Sequence, residues 1–201
     1  MSRHSLLSRL TPRLKWRGLR GLRHNERGVS AVEFAMVAPL LIILYLGSIE
    51  LSLLMDANRR VTQTSASLGD LTARLTTVTD TDMQEMFAAA KIMMQPYDAE
   101  AAGMRITSIV DKGDGNPKVA WSDAHILPPY SPGSTVDLPD GIMPSPGSII
   151  MAEVTYDYES SFGYLIATSK TINDKFYLRP RRVSEIARVT SGGGNALGPT
   201  S

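Results

Sequence analysis

The hydrophobic pattern of the chain is dominated by one apolar stretch at residues 34–55. It contains no charged residue up to Ile49, and apolar residues resume after Glu50. At about 1.5 Å rise per residue, a helix over this stretch is roughly 30 Å long, which matches the hydrocarbon core of a bilayer. The apolar residues cover all sides of the helix, so the pattern predicts a membrane-anchoring helix at residues 29–55 and disfavours a buried helix of a soluble protein. A third interpretation, a cleaved secretory signal peptide, lacks a convincing cleavage site around residues 46–48.

The helical pattern continues beyond the apolar stretch. Apolar residues recur there at spacings of three and four, which is typical of a helix that buries one face. These positions form what we call the helix seam: Leu54, Ala57, Val61, Thr64, Leu68, Leu71, Leu75 and Val78. The pattern favours packing of the helix seam against the chain's own globular part and leaves open a coiled-coil contact with a partner helix.

A second helix is predicted from about Thr81 to the residues before Pro96. Thr81 and Gln84 have the spacing of a capping box, and a proline disfavours helix at the residue before it. The apolar face of this helix consists of Met83, Met86, Phe87, Ala90, Met93 and Met94. We interpret the methionines as adaptable core packing rather than as a ligand surface.

After Gly103 the pattern changes to a period of two, which is typical of β-strands. Strands are predicted at residues 104–111, 119–122, 148–158 and 171–178, and residues 183–189 fit either a strand or a helix. Residues 128–146 hold six prolines, which predicts an irregular surface segment. The predicted fold class is α+β, with a long N-terminal helix packed on an antiparallel sheet of about four strands.

The formal net charge of +1 hides an uneven distribution. Residues 1–28 contain eight Arg or Lys and one acid, whereas the rest of the chain contains 13 basic and 19 acidic residues. By the positive-inside rule, we expect the N-terminus in the cytoplasm and the chain after Asp56 on the other side of the membrane. The acidic body argues against nucleic-acid binding.

The sequence offers poor candidates for catalysis or metal binding. It contains no cysteine and three histidines, with His4 and His24 in the basic leader and His125 in a predicted loop. The acidic turn at residues 111–116 lacks the spacing and the terminal glutamate of an EF-hand, so we interpret it as a hairpin turn. The sequence contains no P-loop, dinucleotide or serine-nucleophile motif. We therefore expect a non-enzymatic protein with no catalytic residue, no metal site and no cofactor.

Three residues interrupt the apolar helix. Glu33 lies at its cytoplasmic edge, where an unpaired carboxylate is unfavourable, so it reaches the interface, is protonated or meets a specific cation. Pro39 removes one backbone hydrogen bond and is expected to kink or loosen the helix. Glu50 lies about 25 Å beyond Glu33 on a helix and is expected at the outer interface without a special role.

The residues around Gly28 resemble a known family. The run Arg27-Gly28-Val29-Ser30-Ala31-Val32-Glu33-Phe34-Ala35, followed by Pro39, resembles the TadE-like family of Flp (tight adherence) pilus assembly proteins, which are pseudopilins of the type IV pilin superfamily. The resemblance continues in the Leu-rich stretch that ends near Glu50 and weakly at residues 177–181. In the remaining chain only the general pattern of the sequence is similar.

The resemblance implies a pilin-like fold and specific roles. Gly28 would be the last leader residue, and Val29 the first residue of the mature protein after cleavage by a prepilin peptidase. Glu33 would pair with the new α-amino group of a neighbouring subunit, with Phe34 and Pro39 in the same assembly segment. The implied partners are other pilin-like subunits, inner-membrane assembly proteins and the lipid bilayer. Val29 stands where an aromatic residue is common in pilins, which is a mild departure.

The leading hypothesis is a minor pseudopilin-like membrane protein that acts in assembly of a Flp-type (Tad) pilus or a related secretion apparatus. The alternative is an uncleaved single-pass membrane anchor that displays a periplasmic binding or adhesion module. The predicted organisation is a basic cytoplasmic leader (1–28), a transmembrane helix (29–55), a periplasmic helical region (56–95), an antiparallel β domain (96–190) and a flexible tail (191–201).

The charge asymmetry generates a test of topology. A reporter that is active only in the cytoplasm, fused after Ser201, is expected to be silent because the eight cations of residues 1–28 hold the other end inside. The same reporter fused before Met1 is the positive control. Robust activity of the fusion after Ser201 would overturn the topology.

Overall fold

The computed structural model of the protein describes residues 26–160 and 169–190. The leader before residue 26 and the predicted tail at 191–201 lie outside the described residues. The chain divides into two compact units, Met1–Gly47 and Ser48–Ser201. The described elements are helix α1 (Glu26–Ala73), β1 (Thr77–Val78), α2 (Asp80–Met93), a short 3-10 helix (Ala99–Ala101), β2 (Gly103–Asp111), β3 (Lys118–His125), β4 (Gly147–Glu159), β5 (Ser169–Leu178) and β6 (Ala187–Arg188).

The predicted α+β class, with a long N-terminal helix and a four-stranded antiparallel sheet, is confirmed. The sheet has the order β3-β2-β4-β5, and every neighbouring pair in it is antiparallel. The four strands predicted from the period of two are all present, with ends that differ by up to three residues. Of residues 183–189, only Ala187–Arg188 forms a strand, which pairs in parallel with β1.

Helix α1 is apolar enough in its N-terminal part to span a membrane, by length and composition. Its large apolar side chains there are exposed, including Phe34 at 69% and Met36 at 77%. Pro39 lies inside the helix, which runs unbroken across it. An unburied apolar helix surface of this kind is stable in lipid rather than in water.

One face of the sheet forms the main core with residues of both helices. Val61 and Leu68 of α1 and Met86 of α2 belong to the same buried cluster as Ile106 of β2 and Val154 of β4. Gly69 lies where the helix approaches the sheet most closely, because a Cβ there would stand 3.0 Å from Leu178 Cδ1 and 3.5 Å from Ala152 Cβ. The absence of a side chain at Gly69 therefore sets how closely α1 packs on β4 and β5.

The opposite face of the sheet is also covered. Ile109, Val119, Ile149 and Met151 form a second buried cluster, against which Tyr130, Val136, Leu138, Ile142 and Met143 of the proline-rich segment pack. Val119 reaches this face because the register shifts between β2 and β3, where Ser108 pairs with Trp121 and Ile109 pairs with Val119. The extra residue turns Val119 to the face opposite Trp121. The irregular segment predicted at 128–146 is thus a cover for the sheet.

The two edges of the sheet differ. The outer edge of β3 bonds to the proline-rich segment, with Val119 N donating to Ser134 O at 2.9 Å and Gly133 N donating to Val119 O at 2.8 Å. β5 has no further strand beside it among the described residues. The unpaired backbone groups of the sheet are therefore concentrated at β5.

The C-terminal segment holds α2 and β3 together. Trp121 Nε1 donates a 2.7 Å hydrogen bond to Ile186 O. Arg188 forms ion pairs with Asp80 at 2.6 Å and Asp123 at 2.7 Å. Residues more than a hundred positions apart in the chain are thus joined beside the sheet.

Two predictions about helix ends were wrong. Helix α1 ends at Ala73 instead of continuing to Val78, because Thr76, Thr77 and Val78 are β-branched and fit an extended chain better. The capping box of α2 is formed by Thr79 and Asp82, not by Thr81 and Gln84. Asp82 N donates to Thr79 Oγ1 at 3.2 Å, and Thr79 N donates to Asp82 Oδ2 at 2.8 Å.

The helix seam differs from its predicted spacing at one position. Ala57, Val61 and Leu68 are buried, and Leu54 and Leu75 pack at the margin of the same core. Leu71, however, is 43% exposed, while Thr72 is fully buried. Because a helix has 3.6 residues per turn, the buried face continues from Leu68 to Thr72, four positions later, and not to Leu71.

This difference generates a test with a matched pair. Leu68→Ala is expected to lower the free energy of unfolding by about 2–5 kcal/mol because the leucine is fully buried. Leu71→Ala, the same change three residues later, is expected to lower it by less than about 1 kcal/mol. The measurement is denaturant unfolding of the purified full chain in detergent, and equal losses in the two variants would contradict the packing described here.

Candidate functional site

The predicted cleavage and assembly residues all lie on helix α1 in the unit Met1–Gly47. Val29 and Phe34 are 60% and 69% exposed, and Gly28, Glu33 and Pro39 are exposed as well. Among the described residues, nothing lies within 4 Å of a Cβ added at Gly28. The backbone at the predicted scissile position is therefore open to approach.

Glu33 lies one helical turn after Val29, so the two residues share a face of α1. Within the described part of the chain, no side chain forms an ion pair with Glu33. The arrangement brings the predicted new N-terminal residue and the predicted carboxylate onto one face. Any cation that pairs with this carboxylate would therefore come from outside the described residues.

A second carboxyl group of the helix, Glu50, is buried in the unit Ser48–Ser201. It is 6% exposed and lies on α1 where the helix begins to pack on the sheet. Tyr158 Oη of β4 donates a 2.9 Å hydrogen bond to Glu50 Oε1. Glu50 Oε2 is buried without a hydrogen-bond partner among the described residues. The expectation that Glu50 needs no special role was wrong, because its carboxyl group is buried and accepts this hydrogen bond. Its position at the outer interface stays a prediction.

The next turn of α1 continues this polar contact. Tyr97 Oη lies 2.9 Å from Leu53 O and 3.1 Å from Asp56 Oδ2. Arg60 donates to Asp56 Oδ2 at 3.1 Å. Glu50, Asp56, Arg60, Tyr97 and Tyr158 form what we call the junction cluster, and the rings of Tyr97 and Tyr158 lie 6.3 Å apart in an edge arrangement. The junction cluster ties the start of the packed helix to the β domain through side-chain hydroxyls.

The electrostatics of the junction cluster follow from these bonds. The hydrogen bond from Arg60 lowers the pKa of Asp56. Burial, reinforced by the hydrogen bond to Glu50, raises the pKa of Tyr158 well above its usual range. Burial, followed by the contact with Asp56, also raises the pKa of Tyr97. The raised pKa values favour the protonated form of both tyrosines, so their hydroxyls act as hydrogen-bond donors at neutral pH.

A second ionic group lies on the opposite face of the sheet. Glu153 of β4 is 2% exposed and pairs with Arg105 at 2.6 Å and Lys175 at 2.8 Å. Burial disfavours its charged form, but the hydrogen bonds from the two cations outweigh burial and lower the pKa of Glu153. The Arg105 guanidinium also lies 3.8 Å from the centre of the Tyr130 ring. This group is fully paired and fixes the proline-rich segment on the sheet.

The described residues contain no cluster of three or more His, Asp or Glu side chains placed to hold a metal ion. His125 differs from its prediction as an exposed loop residue. It ends β3, is partly buried, and its ring centre lies 6.3 Å from that of Phe87. We assign it to packing between β3 and α2.

Fold and site together define an α+β protein whose N-terminal apolar helix can span a membrane. A family model described as "TadE-like protein" matches residues 28–67. The resemblance to the TadE-like family is thereby confirmed for this segment, which covers Gly28, Glu33, Glu50 and the first half of the helix seam. No curated protein and no solved structure matches the chain.

The burial of Glu50 was missed although the sequence carried a signal for it. A carboxylate between Ile49 and Leu51, inside an apolar run, requires a partner wherever the helix lies in a poorly hydrated environment. The partner is Tyr158, 108 positions away in the chain. The sequence therefore indicates that a partner exists, and only the folded chain identifies it.

The hydrogen bond between Tyr158 and Glu50 generates a test. Tyr158→Phe removes the donor and leaves the Glu50 carboxyl group buried without a partner, so we expect a loss of about 1–3 kcal/mol in the free energy of unfolding. Tyr177→Phe is the matched control, because Tyr177 lies on β5 and faces the opposite side of the sheet. It is expected to change the free energy of unfolding by less than about 0.5 kcal/mol.

The single variant Glu50→Met and the double variant Glu50→Met/Tyr158→Phe complete the cycle. The double variant is expected to be more stable than Tyr158→Phe alone, because an apolar pair leaves no unsatisfied buried group. Purified full chain in detergent is unfolded with denaturant. Additive effects of the two changes would contradict direct coupling between the side chains.

Proposed function

We propose that the protein is a minor pseudopilin-like membrane protein that acts in assembly of a Flp-type (Tad) pilus or a related secretion apparatus. The observation that carries the proposal is the family match to residues 28–67. The matched segment begins at Gly28, the predicted last residue of the leader, and extends into the part of α1 that packs on the sheet. It thus includes both the proposed processing site and the proposed assembly segment.

Processing is the first proposed step. A prepilin peptidase hydrolyses the peptide bond between Gly28 and Val29, which releases the leader carboxylate and creates an α-amino group on Val29. Accessible backbone around Gly28 supports this step, since a peptidase needs an unobstructed segment. Cleavage also removes a leader with eight cations and one acid, which otherwise holds the N-terminus at the cytoplasmic face.

Assembly is the second proposed step. The new α-amino group of one subunit meets the Glu33 carboxylate of a neighbour at the membrane edge, and pairing compensates two charges that are poorly hydrated there. The exposed position of Glu33 and the lack of an ion-pair partner among the described residues support this role. Phe34 and Pro39 lie on the same exposed stretch and are proposed to contact neighbouring helices.

The β domain is proposed to lie in the periplasm and to act without catalysis. It is held to its helix by the core around Val61 and Leu68 and by the junction cluster. Movement of the helix during assembly would therefore carry the β domain with it. Prepilin peptidase, other pilin-like subunits and inner-membrane assembly proteins are the proposed partners.

The test separates processing from assembly. Gly28→Leu is expected to block cleavage, because the bulky side chain obstructs the scissile backbone, and to leave the leader attached. Glu33→Gln lies beyond the bond, so cleavage is expected to remain and crosslinking to other pilin-like subunits to decrease. Glu85→Gln, an exposed carboxylate on α2, is the matched control and is expected to change neither. Intact mass of the membrane-extracted protein and crosslinking yield are measured together.

Two outcomes would contradict the proposal. A wild-type mass that still includes residues 1–28, in cells with an active prepilin peptidase, would favour the uncleaved anchor with a periplasmic binding module. Unchanged crosslinking and pilus output in Glu33→Gln would remove the charge-pairing role.

A further inference from the structure

An open groove of about 800 Å³ runs between helix α1 and the edge strand β5. Leu51, Met55, Arg59 and Gln63 line it from the helix, and Lys170 and Ile172 line it from the strand. All of these residues belong to the unit Ser48–Ser201. The volume falls within the range of small-molecule sites, roughly 300–1,000 Å³.

The helix side of the groove begins with an apolar stretch. Leu51 and Met55 are 58% and 65% exposed, although both are large and apolar. They lie in the last five residues of the span predicted at 29–55, four and eight positions after Gly47. In a membrane-anchored chain this level corresponds to the boundary between acyl chains and headgroups.

Two cations line the same groove. Arg59 and Lys170 are exposed, and neither forms an ion pair or a hydrogen bond with a described residue. No acidic residue lines the groove. Neighbouring cations are neutralised, since Arg60 pairs with Asp56 and Lys175 with Glu153. Asp56 acts on Arg59 only through space, without a bond. The groove therefore combines apolar surface with two cations that have no ion-pair or hydrogen-bond partner among the described residues.

We propose that this groove binds an anionic phospholipid of the leaflet that faces the β domain. The acyl chains lie along Leu51 and Met55, and the phosphate lies between Arg59 and Lys170. The Gln63 amide is available to donate to the headgroup. The proposal goes beyond pilus assembly and rests on the membrane placement of α1 in the proposed function.

Charge and apolar surface together favour a lipid over an acidic peptide. A phospholipid supplies both an anion and a hydrocarbon chain in one molecule, at the level where the predicted span ends. An acidic segment of another protein satisfies the cations but leaves Leu51 and Met55 without an apolar partner. Phosphate alone likewise leaves the apolar surface unused.

The experiment measures lipid retention by the purified full chain. The protein in a non-ionic detergent is titrated with phosphatidylglycerol or phosphatidylcholine, and retained lipid is counted by native mass spectrometry. We expect one phosphatidylglycerol bound in preference to phosphatidylcholine. The double variant Arg59→Gln/Lys170→Gln is expected to bind phosphatidylglycerol roughly thirtyfold more weakly, by analogy with the contribution of two basic residues near an anionic membrane surface.

A matched variant controls for net charge. Lys112→Gln/Lys118→Gln removes two exposed cations at the β2–β3 hairpin and is expected to retain phosphatidylglycerol like the wild type. The charge-preserving variant Arg59→Lys/Lys170→Arg is expected to keep most of the affinity. An unchanged near-ultraviolet circular dichroism spectrum of each variant establishes that its fold is intact.

Competition identifies the ligand. Glycerol phosphate and inorganic phosphate, which lack acyl chains, are expected to displace the lipid only at much higher concentration. Equal displacement would overturn the lipid assignment in favour of a simple anion site. Equal retention of phosphatidylglycerol by the groove variant and by its matched control would also overturn it. A protein that crosslinks to the wild type but not to Arg59→Gln/Lys170→Gln, with lipid retention unchanged, would overturn it as well.

The assembly test and the lipid test fail separately. Cleavage after Gly28 and crosslinking through Glu33 depend on the start of α1, whereas the groove begins at Leu51. Cleavage or crosslinking can therefore be absent while the groove retains its lipid. Loss of lipid preference with normal processing and assembly would remove the lipid site alone.

Discussion

The packing of helix α1 on one face of the sheet is the interaction on which the rest of the structure depends. Gly69 permits a close approach of the helix to the sheet, and the short side chains of Ala57 and Ala73 are fully buried on the helix. The packing also buries polar groups that must be satisfied inside the interface. Thr72 Oγ1 donates to Leu68 O at 2.8 Å, and Ser65 Oγ donates to Asp174 at 2.9 Å. The contact thus fixes the helix both by shape and by directional bonds.

A sheet with both faces covered places further demands on the chain. The second face has no helix, so an irregular segment must shield it, and such a segment brings polar backbone that needs partners. The bonds between Val119 and residues 133–134 and the buried group around Glu153 satisfy this requirement. The prolines of the segment limit its conformations, which lowers the entropy lost when it settles on the sheet. The proline-rich composition and the covered face are therefore physically connected.

The parts of the fold that were predictable are those encoded by local periodicity. The alternation in residues 148–158 and the apolar run at 34–55 led to the correct elements, because burial on one face or all faces leaves a repeating pattern. The capping box, the exposure of Leu71 and the partner of Glu50 depend on single hydrogen bonds or on a phase change of one residue along the helix. Several residue pairs satisfy such local rules equally well, and tertiary contacts select among them. The cleavage and assembly residues came from the family resemblance, since a site completed by other molecules leaves no periodic pattern.

The parallel pairing of β1 with β6 makes the finished domain depend on residues that lie far apart in the chain. Thr77 and Val78 pair with Ala187 and Arg188, and Trp121 Nε1 donates a hydrogen bond to the carbonyl of Ile186. Both helices and all four strands of the sheet precede these partners in the chain, so the domain stays open along that side until residues 186–188 are in place. Long-range closure of this kind slows folding and leaves apolar surface accessible in the meantime. A chain without residues 186–188 therefore lacks the bonds that join α2 to β3.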